Sequence, residues 1–194
     1  MNRRKKIMKI LLKGLTLLFS VALIAAVCFL LILAQPKKED TAKPEPQPLL
    51  TASPAQSITA ETEIRSLVES FPVPVLSFMS GSGMVFVSGS SADFGLEGGF
   101  GRTVTLYWQT PAGDPLILQS IYPASALSLL DNGYHFSAVA GPSLFGADSV
   151  RMENADTVRI HAATESGLYV VTIPRAAASG LSAMSHSLQL FSVR

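Results

Sequence analysis

The sequence predicts an α+β chain: one N-terminal transmembrane helix, then a predominantly antiparallel β-sheet domain with two or three short helices. Three observations predict it. Gly14 to Ala34 runs 21 residues without a charge. Arg3, Arg4, Lys5, Lys6, Lys9 and Lys13 all precede that run, with no acid among them. From Met84 onward, short stretches of alternating apolar residues are divided by Gly, Pro, Asn and Asp.

An α-helix rises about 1.5 Å per residue, so about 20 residues cross the roughly 30 Å hydrocarbon core of a bilayer. Residues 14–34 meet that length and are expected to have membrane lipid as their partner. The positive flank makes residues 1–13 a cytoplasmic stub and places the rest of the chain outside the cytoplasm. A cleaved signal peptide has an apolar region of about 7–15 residues, shorter than this run. The residue three places before Gln35 is Ile32, too bulky for a cleavage site. Acylation at Cys28 is a second cleaved form, but Ala25 and Val27 suit it poorly. A permanent single-pass anchor is therefore expected.

Residues 35–57 read as a linker. Pro36, Pro44, Pro46, Pro48 and Pro54 stand among small and charged residues. Such a stretch favours extended polyproline II and buries too little apolar surface to fold. Residues 58–194 form the expected extracytoplasmic domain, long enough for one core.

Within that domain, Thr59 is positioned to cap a short helix through its side-chain oxygen, with Glu61 and Glu63 in the first turn. Ile64, Leu67, Val68 and Phe71 make one apolar face, and Pro72 and Pro74 end the helix. The period then changes to two. Met84 to Ser88 is a strand candidate. Thr103 to Gln109 places Val104, Leu106 and Trp108 on one face. Pro111-Ala-Gly-Asp114 turns the chain, and Leu116 to Tyr122 returns. Pro123 starts a short helix to Leu130, stopped by Asp131-Asn-Gly133. Strands are expected over Tyr134 to Val139, Val150 to Glu153, Thr157 to Ala162 and Leu168 to Ile173. At the end, Leu181, Met184 and Leu188 suit a helix, while Leu188 to Val193 equally suits a strand.

Charge excludes some functions. From Glu61 onward six arginines face eleven acids, and no lysine follows Lys43. A nucleic-acid surface needs clustered cations, so no nucleic-acid partner is expected. With Cys28 the only cysteine, the outer domain has no disulfide, cysteine nucleophile or cysteine-built zinc site. A disulfide-free exported domain points to a bacterial envelope.

No catalytic, cofactor or metal site emerges. Gly95-Leu-Glu-Gly-Gly-Phe-Gly101 lacks the Gly-Lys-Ser/Thr ending of a phosphate loop and reads as a mobile or bulged loop. Ser80-Gly-Ser-Gly83 and Gly89-Ser-Ser91 do not match a nucleophile elbow. His135, His161 and His186 are too scattered for a metal motif, and His161 is expected on the solvent face opposite Val158 and Ile160. Asp148, Glu153 and Asp156 match no calcium loop. A triad of serine, histidine and acid requires contact that spacing alone does not give.

The tail, Gly167-Leu-Tyr-Val-Val-Thr-Ile-Pro174 and then Ser187-Leu-Gln-Leu190, resembles the ends of extracytoplasmic domains in Gram-positive membrane regulators. Anti-sigma regulators of that kind need a folded cytoplasmic domain, which 13 residues cannot supply. The sequence therefore leads to an anchored envelope module that binds a protein, peptide or wall component without a cofactor. The alternatives are an anchored serine/histidine hydrolase and a structural subunit of a membrane complex.

Overall fold

The structure, a computed structural model, describes residues 47–126 and 133–192. The stub, the expected span 14–34 and residues 35–46 lie outside the described residues. Among the described residues, no helix is long and apolar enough to cross a membrane.

Eight strands form one antiparallel sheet: β1 (Gln56–Ile58), β3 (Val85–Leu96), β4 (Gly99–Gln109), β5 (Pro115–Tyr122), β6 (His135–Phe136), β7 (Ser149–Glu153), β8 (Thr157–Ala163) and β9 (Leu168–Pro174). Their spatial order is β1-β3-β4-β5-β9-β8-β7-β6. A second sheet pairs β2 (Val75–Phe78) with β10 (Leu188–Phe191). Two short helices complete the set, α1 (Ile64–Glu69) and α2 (Leu181–Ser185), each entered through a 3-10 turn.

The expected hairpin is present. β4 and β5 pair from Arg102 with Tyr122 to Gln109 with Pro115, and Val104, Leu106 and Trp108 are buried on one face as the alternation requires. The same face continues through Leu118 of β5, Val171 of β9 and Ile160 of β8. Leu67 and Val68 of α1, Leu76 and Phe78 of β2, Leu188 of β10, and Leu181 and Met184 of α2 belong to the same cluster. Each fully buried Leu or Val side chain stabilises by about 1.5–3 kcal/mol, so this layer carries the fold. Both endings proposed for the tail are present, because α2 stops at Ser185 and β10 begins at Leu188.

Three differences from the sequence expectation have clear physical causes. The first concerns the glycine-rich stretch, which is a hairpin and not a loop. β3 continues to Leu96 and β4 begins at Gly99. Gly98 takes φ 89°, a left-handed conformation that costs a residue with no Cβ little. A Cβ on Gly101 would collide with the Phe94 ring, so that glycine permits close cross-strand packing.

The second concerns His161. It is buried, at 5 % exposure, instead of facing solvent. The far face of the sheet carries its own cluster: Ile121, Leu168, Val170 and Ala126, with Phe94 packed on it. Val170 is the register partner of His161. Further along the same face, the Tyr134 ring lies 3.9 Å from the guanidinium carbon of Arg159. Ala126 and Tyr134 therefore cover part of a face that a one-sided sheet would leave wet. The helix expected over Pro123 to Leu130 falls largely outside the described residues. The strand expected over Tyr134 to Val139 shrinks to His135–Phe136, with Phe136 73 % exposed.

The third concerns the domain boundary. The compact unit begins at Pro46, and residues 47–57, expected in the linker, form a strap across one end of the sheet. The Gln47 side chain donates to the Glu165 and Ser166 carbonyls and accepts from the Ala124 N–H. The Tyr122 hydroxyl donates to the Pro48 carbonyl at 2.7 Å. Leu50 bridges Phe100 through two backbone hydrogen bonds. β1 then pairs with β3 from Gln56–Ser91 to Ile58–Gly89. Proline spacing signals an unpaired chain, but it does not register hydrogen bonds supplied by residues distant in sequence.

Candidate functional site

Pro74 ends the helical segment, and Val75-Leu-Ser-Phe78 then forms β2, with all four residues buried. One side of the small sheet faces the core, where the Phe78 ring meets Trp108 edge-on at 5.4 Å. Leu76 donates its N–H to the Ser120 hydroxyl of β5 at 2.8 Å, which fastens β2 to the large sheet. The other pleat of β2 carries Val75 and Ser77, both buried.

α1 is held beside this sheet at both ends. At its start, the Glu63 carboxylate reaches back to accept the N–H groups of Thr59 and Ala60, each at 3.1 Å. The expected Thr59 side-chain cap is absent: Ala60 occupies the N-cap and makes no side-chain bond. Glu63 does the same work from inside the first turn. At the other end, Arg102 donates to the Ser70 carbonyl at 3.0 Å.

Between α1 and the small sheet lies a groove of about 420 Å³. That volume falls within the range of small-ligand sites, about 300–1,000 Å³. Ile64, Val68, Phe78 and Phe191 supply apolar wall, and Glu61 and Arg65 stand on the rim. Arg65 is turned to Glu69, one helical turn away at 3.0 Å. Ser77 lines the groove although the residue is only 2 % exposed. Among the described residues its hydroxyl has no hydrogen-bond partner. Ser80, part of the serine-rich turn considered for catalysis, also lines the groove.

The three histidines are not brought together. His135 sits on the exposed edge strand β6, His161 is buried in β8, and His186 is exposed at the end of α2. The strand register puts His135 and His161 on opposite faces of the sheet. Glu153 is engaged by Arg151 at 3.4 Å and Arg175 at 3.0 Å. Among the described residues, no group of three His, Cys, Asp or Glu side chains is placed to hold a metal ion.

Two groups have shifted acidities, and neither lies in the groove. The Asp93 carboxyl is held below the usual carboxylate value, chiefly by its hydrogen bond from Arg102, with burial opposing and the Ser53 N–H adding to the drop. Burial pushes the Tyr169 phenol up, and the Thr164 hydroxyl works against that rise.

Sequence reading missed β2, and with it Ser77. The available signal was a β-prone run between Pro74 and the Ser80-Gly turn. Comparison with protein-family models, curated proteins and solved structures gave no match.

Proposed function

We propose that this chain is a membrane-anchored module of the bacterial envelope, held by residues 14–34, that binds a partner outside the cytoplasm through the groove between α1 and β2. The groove carries the reading: it is open, has apolar side chains in its walls, and is lined by the Ser77 hydroxyl, which bonds no protein group among the described residues. A hydroxyl that lines an open groove without a protein partner is available to a ligand. The anchor rests on the uncharged run and the sorted charges of the first 34 residues.

Two measurements in cells test the two halves of the reading. A C-terminal alkaline phosphatase fusion should be active, and the corresponding fluorescent-protein fusion dark. The reverse pattern would end the extracytoplasmic assignment. A photo-crosslinking residue at Arg65 should capture a discrete partner that the same residue at Glu165 does not. Identical capture from both positions would remove the groove as the binding site.

A further inference from the structure

We infer that the groove takes an extended peptide segment that is cationic and apolar: an apolar side chain enters beside Phe191 and Val68, Ser77 Oγ hydrogen-bonds its backbone, and a Lys or Arg faces Glu61. This inference rests on the binding-module reading and adds the chemistry of the partner. Three features carry it.

The first is the Ser77 hydroxyl, which lines the groove and bonds no protein group among the described residues. It interrupts a strand whose other residues are Val, Leu and Phe. A hydroxyl both donates and accepts, so it suits a peptide group.

The second is shape. A smaller hollow of about 250 Å³ continues the groove along α1 and shares Val68 and Ser192 with it. Phe71, Val73 and Pro74 line that hollow, and Glu69 stands at its side. Two hollows in series, each with a carboxylate at the margin, fit a chain that places successive side chains and not one compact molecule.

The third is charge. Glu61 forms no ion pair among the described residues, and Arg65 is already directed at Glu69. From Glu61 onward acids outnumber arginines eleven to six, without a lysine. That field draws in a cationic segment and repels anionic lipid headgroups.

The test uses the full-length protein in non-ionic detergent micelles. The probes are fluorescent heptapeptide pools with Val, Leu, Ile or Phe at alternate positions and Lys, Gln or Glu fixed between them. Anisotropy should show the Lys pool binding about tenfold tighter than the Glu pool, with Gln between. Glu61→Gln should erase most of that preference, whereas Glu165→Gln, in the β8–β9 turn, should leave it intact. Ser77→Ala should weaken the Lys pool about fivefold while the unfolding midpoint stays the same or rises. Equal binding of the three pools, or no binding by any, overturns the inference, as does an equal effect of Glu61→Gln and Glu165→Gln. If groove crosslinks form in cells while the pools fail to discriminate, the cationic-peptide inference falls and the binding-module reading stands. If the crosslinks also fail, both fall.

Discussion

The strap end of the sheet and the groove along α1 handle polar groups in opposite ways. At the strap end a buried charge pair is fully engaged. Arg102 meets Asp93 at 2.6 Å, Asp93 accepts the Ser53 N–H, and Arg102 reaches on to the Ser70 carbonyl. The two side chains are 12 % and 10 % exposed. The network joins the strap, the β3–β4 hairpin and the end of α1. In the groove the Ser77 hydroxyl lines an open wall and bonds no protein group among the described residues. A satisfied network fixes one structure, whereas a hydroxyl on an open groove stays available to a ligand. The first region therefore reads as structure and the second as function.

The largest effect that would break this comparison lies at the strap end. Arg102→Met leaves the part-buried Asp93 carboxylate without its cation and should destabilise the domain by about 2 kcal/mol. Urea unfolding followed by Trp108 fluorescence measures this. A loss below about 0.5 kcal/mol would show that the pair is solvated, as exposed pairs are.

Acid should act on the same pair. Because the folded carboxyl of Asp93 titrates below its unfolded value, its contribution is present above the ordinary Asp range and is lost as pH falls through the folded value. Asp93→Asn should flatten the acid limb of the stability curve. An unchanged acid limb would remove Asp93 as its source.

The start of α1 should give a smaller effect. Glu63→Ala deprives Thr59 and Ala60 of their acceptor and should cost about 1 kcal/mol. Hydrogen exchange should localise the loss to the first turn of α1, and exchange spread over the whole sheet would point instead to a role in global packing.

The smallest change should carry the opposite sign. Ser77→Ala removes an unpaired hydroxyl and should leave stability unchanged or raise it by up to about 1 kcal/mol. A loss above about 1 kcal/mol would mean that Ser77 is a structural residue, and the contrast between the two regions would fail.

Legibility in the sequence followed the range of the interactions. The β4–β5 hairpin was readable because its alternation and its turn lie within one short stretch. The apolar face of α1 was readable for the same reason, since Leu67 and Val68 are buried at helical spacing. β2 was not, because its partner β10 lies more than a hundred residues away. His161 was misplaced because alternation reports two faces but does not tell which of them is wet. Its own face carries a second apolar cluster that includes Val170, its register partner. The strap was read as linker because its proline spacing is that of a free chain, whereas its hydrogen bonds come from β3, β4, β5 and the β8–β9 turn.

By itself, the sequence determined the sorted charges, the uncharged run of residues 14–34, the antiparallel β-rich class and the absence of lysine after Lys43, because each is a property of composition or of short-range period. Only the tertiary structure decided that residues 47–57 belong to the domain, that His161 is buried, and that Ser77 stands unbonded at the floor of a groove. Each of these depends on which distant strands meet, and local periodicity does not encode the neighbour that a side chain finds on folding.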